Sequence, residues 1–336
     1  MNSNYRASLA TKAIAAEGSW AQMCAGFGAL LWAGVAVLAR IGVAPIGAIE
    51  LMFMFAPLVI VPLGIQLARV LGNDTPPVRF ARRLQPFAAA LAIVALWLPP
   101  GRLAACLAGP WMVVCLSMTA GGLVDLSSFA RSQQDHTGST FHRIIVSIAQ
   151  LVLLVGGAWF VASRLGMRPM DIQEPIGLLT AVHFHYAGFA TAMIAAAMLR
   201  FAEQRGEPGW MKSLVAVVVC MPLVVAVGFV ISPLLKMGAA VVFSLSVAAL
   251  AVVLRSSAKR LDSSTARVLF YVATASVFAG MILSSAYAIA DFRGSDVLPI
   301  PAMARTHGIL NAVGFCLPAL LGWLVENAAV AGGTAL

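Results

Sequence analysis

Charge is what this chain has least of. Only 10% of its 336 residues are Asp, Glu, Lys or Arg, where a soluble domain carries roughly a quarter. No polar stretch exceeds about twenty residues, short of the ~50 that an independent soluble domain needs. A separate water-soluble domain is therefore excluded. Paired cysteines are also lacking. Cys24, Cys106, Cys115, Cys220 and Cys316 all lie in apolar runs without paired spacing, so neither a disulfide framework nor a thiolate metal site is implied. They read as small apolar side chains. A clustered basic face is missing as well. The net charge is +9, but the basic residues sit at the ends of apolar runs, which speaks for a membrane and against a nucleic-acid partner. The lead-in MNSNYRASLATKAIAAEGSW is short and polar, and the first apolar run is long enough to stay in the bilayer. No cleavable signal peptide is expected.

What is present is hydrophobicity: 61% of residues, with a mean hydropathy of +0.92. The expected fold is an all-α polytopic transmembrane bundle. A span takes about twenty apolar residues. Ten stretches meet that length: 18–39, 43–70, 84–100, 103–125, 144–164, 175–200, 212–231, 235–254, 267–290 and 302–326. They make one transmembrane domain, 18–326, between a lead-in at 1–17 and a tail at 327–336. Proline and glycine punctuate the joints, as in GNDTPP, LPPG, RPMDIQEP and RGEPG. With the N-terminus cytoplasmic, inner segments hold fifteen of the 22 Lys and Arg residues. The bias places both termini in the cytoplasm.

That topology lines up the odd polar residues. The second, sixth and tenth spans all run inward from the outer face. Glu50 and His183 lie about eight residues in, His185 about ten, and His307 about six, with Asn311 one turn deeper. At 1.5 Å per residue these depths are about 9–15 Å. Ionisable side chains at such depth are expensive and mark function. The three spans are four apart and similar in outline, which suggests a four-helix repeat. Glu50 alone among the carboxylates reads as lying well inside a span. His183 and His185 are separated by about 200° around a helix, so one pocket cannot take both unless the helix is distorted. His307 and Asn311 share a face. Arg305, Asp291 and Tyr287 would form a polar mouth above them. His136 and His142, in RSQQDHTGSTFHR, read as a solvated loop.

The motifs TAVHFHYAGF and RTHGILNAVGF resemble the YndJ-like family of bacterial membrane proteins, over most of the chain. The resemblance implies a multi-pass protein of the bacterial plasma (inner) membrane and gives prominence to His183, His185, Tyr186, His307 and Asn311. A local likeness ties HFHY and THG to the haem-ligand segments of haem–copper oxidase subunit I. It would put His185 and His307 on one haem and His183 on a second centre. The order of the two segments is reversed here, and no histidine pair for copper is present.

Three functions are open at this stage. One is an enzyme performing acid–base chemistry (isomerisation, cyclisation or hydration) on a lipophilic small molecule or membrane lipid. Glu50, His183, His185 and His307 would be catalytic, and Tyr186, Asn311, Arg305 and Asp291 would bind substrate. The second is a secondary transporter with a Glu/His proton relay. The third is a metal or haem oxidoreductase, with His183, His185, His307 and Glu50 as candidate ligands. No cofactor is assigned.

Overall fold

The computed structural model describes residues 3–131, 141–206, 209–295 and 298–333. His136 lies outside them. Among the described residues, ten long helices and no strand are present. They are α1 (Ser3–Arg40), α2 (Ala48–Val70), α3 (Pro76–Trp97), α4 (Arg102–Arg131) and α5 (Phe141–Leu165), then α6 (Ile176–Glu203), α7 (Trp210–Ile231), α8 (Pro233–Ala258), α9 (Ser264–Phe292) and α10 (Ile300–Ala331).

Nine of the ten are long and apolar enough to cross a membrane. The exception is α3. Arg79, Arg82 and Arg83 fill its first turns, so only residues 84–97 form an uninterrupted apolar stretch. It still packs along α4 for its length. A tight turn follows it, and there the Gly101 N–H donates to Arg164 O at the far end of α5 (2.7 Å). Helix starts follow local chemistry. Ser232 caps α8 by accepting from the Leu235 N–H (3.4 Å), with Pro233 behind it, and Ser263 caps α9 by accepting from the Ala266 N–H (3.2 Å). Both satisfy donors that a helix N-terminus leaves open.

Burial separates centre from periphery. In α6, 89% of the apolar window is buried, and in α2 78%, against 28% in α7 and 22% in α1. These two helices are therefore surrounded by protein, while the others show one flank to lipid through residues such as Phe27, Phe87 and Ile282. Without water in a bilayer core, the central pair must satisfy every polar group internally.

The end of the bundle carrying most Arg and Lys is tied by polar contacts. Asn73 Nδ2 donates to Gln150 Oε1 (3.0 Å), with both residues fully buried. Arg143 pairs with Asp125, which also accepts from Ser147 Oγ (3.3 Å). Arg200 caps the end of α2 by donating to Val70 O (2.6 Å). The Glu326 carboxylate accepts from the Asp262 and Ser263 N–H groups at 2.9 and 3.0 Å, pinning α10 to the α8–α9 turn. His142 belongs here too. It is not a solvated loop residue: it lies in the first turn of α5, with Nδ1 2.7 Å from Glu203 Oε2. Asp125 is a further buried carboxylate within a helix, hidden from the sequence because the fourth span appeared to end there.

Three helices are irregular, and they are α2, α6 and α10. Each contains a wider π turn: Ala56–Ile60, Phe184–Ala190, and both Ala304–Gly308 and Ala312–Cys316. Val61 N–H reaches Ala56 O, Thr191 N–H reaches Tyr186 O, and Leu317 N–H reaches Ala312 O, each five residues back. In α2 the cause is legible. Pro57 has no N–H to give Phe53 O, so Ala56 N–H takes that carbonyl instead. Met52 O is then open to a side chain from elsewhere. Such turns recur at functional sites.

Candidate functional site

The main cavity lies on one side of α6, between it and α7, α8, α9 and α10, with Met52 of α2 at its edge. Its volume is about 360 Å³ and its walls are largely apolar, as ligand pockets generally are. His183, Tyr186, His307, Asn311 and Asp291 line it, five of the eight residues singled out from sequence. Glu50, His185 and Arg305 do not.

The two adjacent histidines have different surroundings. His183 Nδ1 is 2.7 Å from Leu179 O, and His185 Nδ1 is 2.7 Å from Ala181 O, each one turn back. A carbonyl only accepts, so in both rings Nδ1 carries the proton and Nε2 is left as an acceptor. For His185 that acceptor is used: Trp111 Nε1 of α4 donates to it at 3.0 Å. The ring has no exposed surface, stacks on Trp111 and meets Phe53 edge-on. Gly156 of α5 makes room for it, since a Cβ there would stand 2.7 Å from Nδ1. His185 is thus a brace between α6, α4 and α5. The exposed surface of His183 opens on the cavity.

His307 mirrors His183 from the facing helix. Its Nδ1 donates to Gly280 O of α9 at 3.0 Å, which leaves Nε2 as acceptor. Asn311 Nδ2 donates to the His307 carbonyl (2.7 Å) and lies 3.4 Å from Nε2. Gly280 has to be glycine for this packing, because a Cβ would fall 2.7 Å from Asn311 Nδ2. His183 and His307 are within electrostatic reach of each other. Tyr186 donates its hydroxyl to the open Met52 O (2.8 Å), fastening α6 to α2 at the cavity edge.

Glu50 departs from the expectation. Pro45 and Gly47 keep the chain extended, so α2 begins only at Ala48, and Glu50 falls in its first turn. Its carboxylate folds back over Gly47, with Oε2 2.6 Å from where a Cβ would sit. A carboxylate there complements the positive end of the helix dipole. Its charged neighbour is Arg164, which also feels Glu174. Shared depth therefore holds for His183 and His307, each seven residues into its helix, and fails for Glu50.

The metal reading loses its ligand set. Among the described residues no three His, Cys, Asp or Glu side chains gather to hold an ion. His185 and His307 do not share a cavity, so the haem arrangement that would seat both on one iron is not formed. Arg305 is exposed and stands outside. Asp291 does line the mouth, where its Oδ2 lies 2.7 Å from Lys236 Nζ. Lys236 escaped notice as one of the outer basic residues, and the apolar wall from Pro222, Phe229 and Phe243 has no distinguishing sequence signal. Trp111 did have one: an indole N–H inside a span needs an acceptor.

Comparison with known proteins assigns the family. The model of the YndJ-like proteins matches residues 51–315. The chain belongs to the YndJ-like family. It is also 31% identical over 191 residues to the membrane protein YndJ of Bacillus subtilis (strain 168), a match covering 56% of this chain and 34% of that protein. The chain thus spans about a third of the length of that relative. No solved structure matches. Family and apolar helices together make this a multi-pass membrane protein.

Proposed function

We propose that the chain is a membrane enzyme, seated in a bacterial plasma membrane, that performs acid–base chemistry on a lipophilic molecule held in the α6–α10 cavity. Isomerisation, cyclisation and hydration all suit such a site. One observation carries the reading: His183 and His307 each commit Nδ1–H to a backbone carbonyl, which leaves Nε2 as the acceptor, and both residues line the same apolar chamber. Two imidazoles with fixed tautomers can serve as a base and, once protonated at Nε2, as an acid. Asn311 gives one amide N–H to His307 O, holds Nδ2 3.2 and 3.4 Å from the Nδ1 and Nε2 of that ring, and keeps Oδ1 for a ligand. Apolar walls keep bulk water out, which favours isomerisation and cyclisation over hydration. Glu50 and His185 have no part in this version.

The test uses glutamine, which keeps polar contacts but moves no proton. Lipid extracts from cells making the wild-type, His183→Gln or His307→Gln chain would be compared by mass spectrometry at equal membrane abundance. A species produced only with the wild type is expected. Identical profiles from all three would sink the acid–base role.

A second reading, a proton-coupled transporter, is supported by the buried polar residues Asn73, Gln150 and Asp125 at the opposite end, with the half-exposed Arg143 beside them. It also draws on the π turns in every fourth helix, α2, α6 and α10, which fit a structural repeat. Proton uptake by liposomes holding the wild-type chain, absent with Gln150→Leu, would favour it over the enzyme.

A further inference from the structure

The cavity is a slot that runs along the helices. On α8 its lining residues Lys236, Ala240, Phe243 and Val247 follow helical spacing, and on α10 the stripe runs from Ile300 to Phe315. Eleven to fifteen residues correspond to about 16–22 Å, so 360 Å³ is spread thinly over a long path. Polarity changes along it in three tiers. Lys236 and Asp291 lie within three residues of their helix ends, at the mouth. His183 and His307 come next, seven residues in, or about 10 Å deep. Val247, Phe315 and their neighbours form a mostly apolar floor at about 21–22 Å, where the polar atoms of Thr191 and Cys316 are paired with each other.

That order, charge then polar group then hydrocarbon, matches an amphiphile standing as it would in one leaflet. The mouth pair narrows the head. Lys236 and Asp291 cancel in net charge, and their side chains remain 24% and 40% exposed. An anionic head would gain the ammonium and meet repulsion from the carboxylate, and a cationic head the converse. A head with both signs pairs with both at once. The Phe229 ring, 4.8 Å from Lys236 Nζ, holds the ammonium at this level when Asp291 turns to the ligand.

We propose that the slot takes a single-chain amphiphile with a zwitterionic head, its charges on Lys236 and Asp291, its next polar group at His183 and His307, and its tail on the floor. The proposal rests on the cavity being the functional site and adds the class of molecule and its orientation.

Competition by native mass spectrometry on the full chain in detergent tests it. The probes are lysophosphatidylethanolamine (zwitterionic), lysophosphatidylglycerol (anionic) and monoacylglycerol (neutral), matched in chain length. The zwitterion is expected to bind about tenfold tighter than either, the worth of one charge-assisted contact. Asp291→Asn, at the half-exposed mouth where folding is not at stake, should move the preference to the anionic probe. Ala240→Trp should block all three. Equal binding of the three probes, with Ala240→Trp still blocking them, would overturn the zwitterion and leave the cavity. Undiminished binding to a folded Ala240→Trp chain would overturn the cavity reading itself, and with it this proposal.

Discussion

The two sides of α6 make an instructive contrast. His185 and His183 sit two residues apart, with the same tautomer set in the same way by a carbonyl one turn back. On the α4–α5 side the space is filled, and Trp111 takes the remaining nitrogen. On the α7–α10 side the space is open, and His183, with no other group on that nitrogen, lines a cavity. Identical side chains become a structural brace and a chemical group according to what the neighbouring helices leave empty. A histidine with both nitrogens engaged is rigid and costly to remove. One with a free acceptor is cheap to remove and available for work.

The contrast can be broken from its filled side first. His185→Leu should destabilise the protein by about 2–4 kcal/mol, since it leaves the buried Trp111 N–H without an acceptor and repacks a tight site. Thermal unfolding of the purified chain in detergent measures this; a loss no larger than that of His183→Leu would erase the distinction. Gly156→Ala acts on the same ring from behind. Its new methyl would meet His185 Nδ1 at 2.7 Å, and overpacking of this kind costs about 1–3 kcal/mol. Combined with His185→Ala the penalty should shrink, a coupling that a double-mutant cycle reads directly.

Tyr186→Phe sits between the two sides. It strips Met52 O of its donor and should cost about 1 kcal/mol, with ligand binding weakened only through the shifted α2–α6 contact. On the open side, His183→Gln should change stability by less than about 0.5 kcal/mol while removing the product in cells. The smallest effect lies outside the membrane. Burial pushes the Asp74 carboxyl up, but hydrogen bonds and charge from Arg69 and Arg79 outweigh it and hold it below its usual value. A depressed carboxylate adds stability above its unfolded pKa of about 3.9, and that share is lost as pH falls through the folded value. Asp74→Asn should lower the melting temperature slightly at neutral pH and leave the acid end nearly unchanged, which flattens the acid limb of a melting profile.

Much of the bundle was legible in the chain. Runs of about twenty apolar residues announce helices because only hydrogen-bonded backbone survives in hydrocarbon. α3 shows the limit: the stretch 84–100 reads as a tenth span by length, but the helix that contains it begins at Pro76 with three arginines in its first turns and is not among the nine long and apolar enough to cross. Of the site, two of its helices, α6 and α10, and five lining residues were legible because polar side chains are rare in spans, while the π turns of those helices were not. Glu50 misled, since hydropathy does not see that Pro45 and Gly47 delay the helix by five residues. Lys236 and the α7–α8 wall were missed because their role is one of position.

By itself the sequence determined that this is a membrane bundle, that α2, α6 and α10 carry its unusual polar groups, and that His183 and His185 must face apart. These follow from hydropathy and helical period, which are local. Only the tertiary structure decided which histidine meets Trp111 and which meets a cavity, that Glu50 answers a helix end and Arg164, and that Lys236 stands over the slot. Those outcomes depend on which helices pack against each face of α6, and helix packing joins residues far apart in the chain.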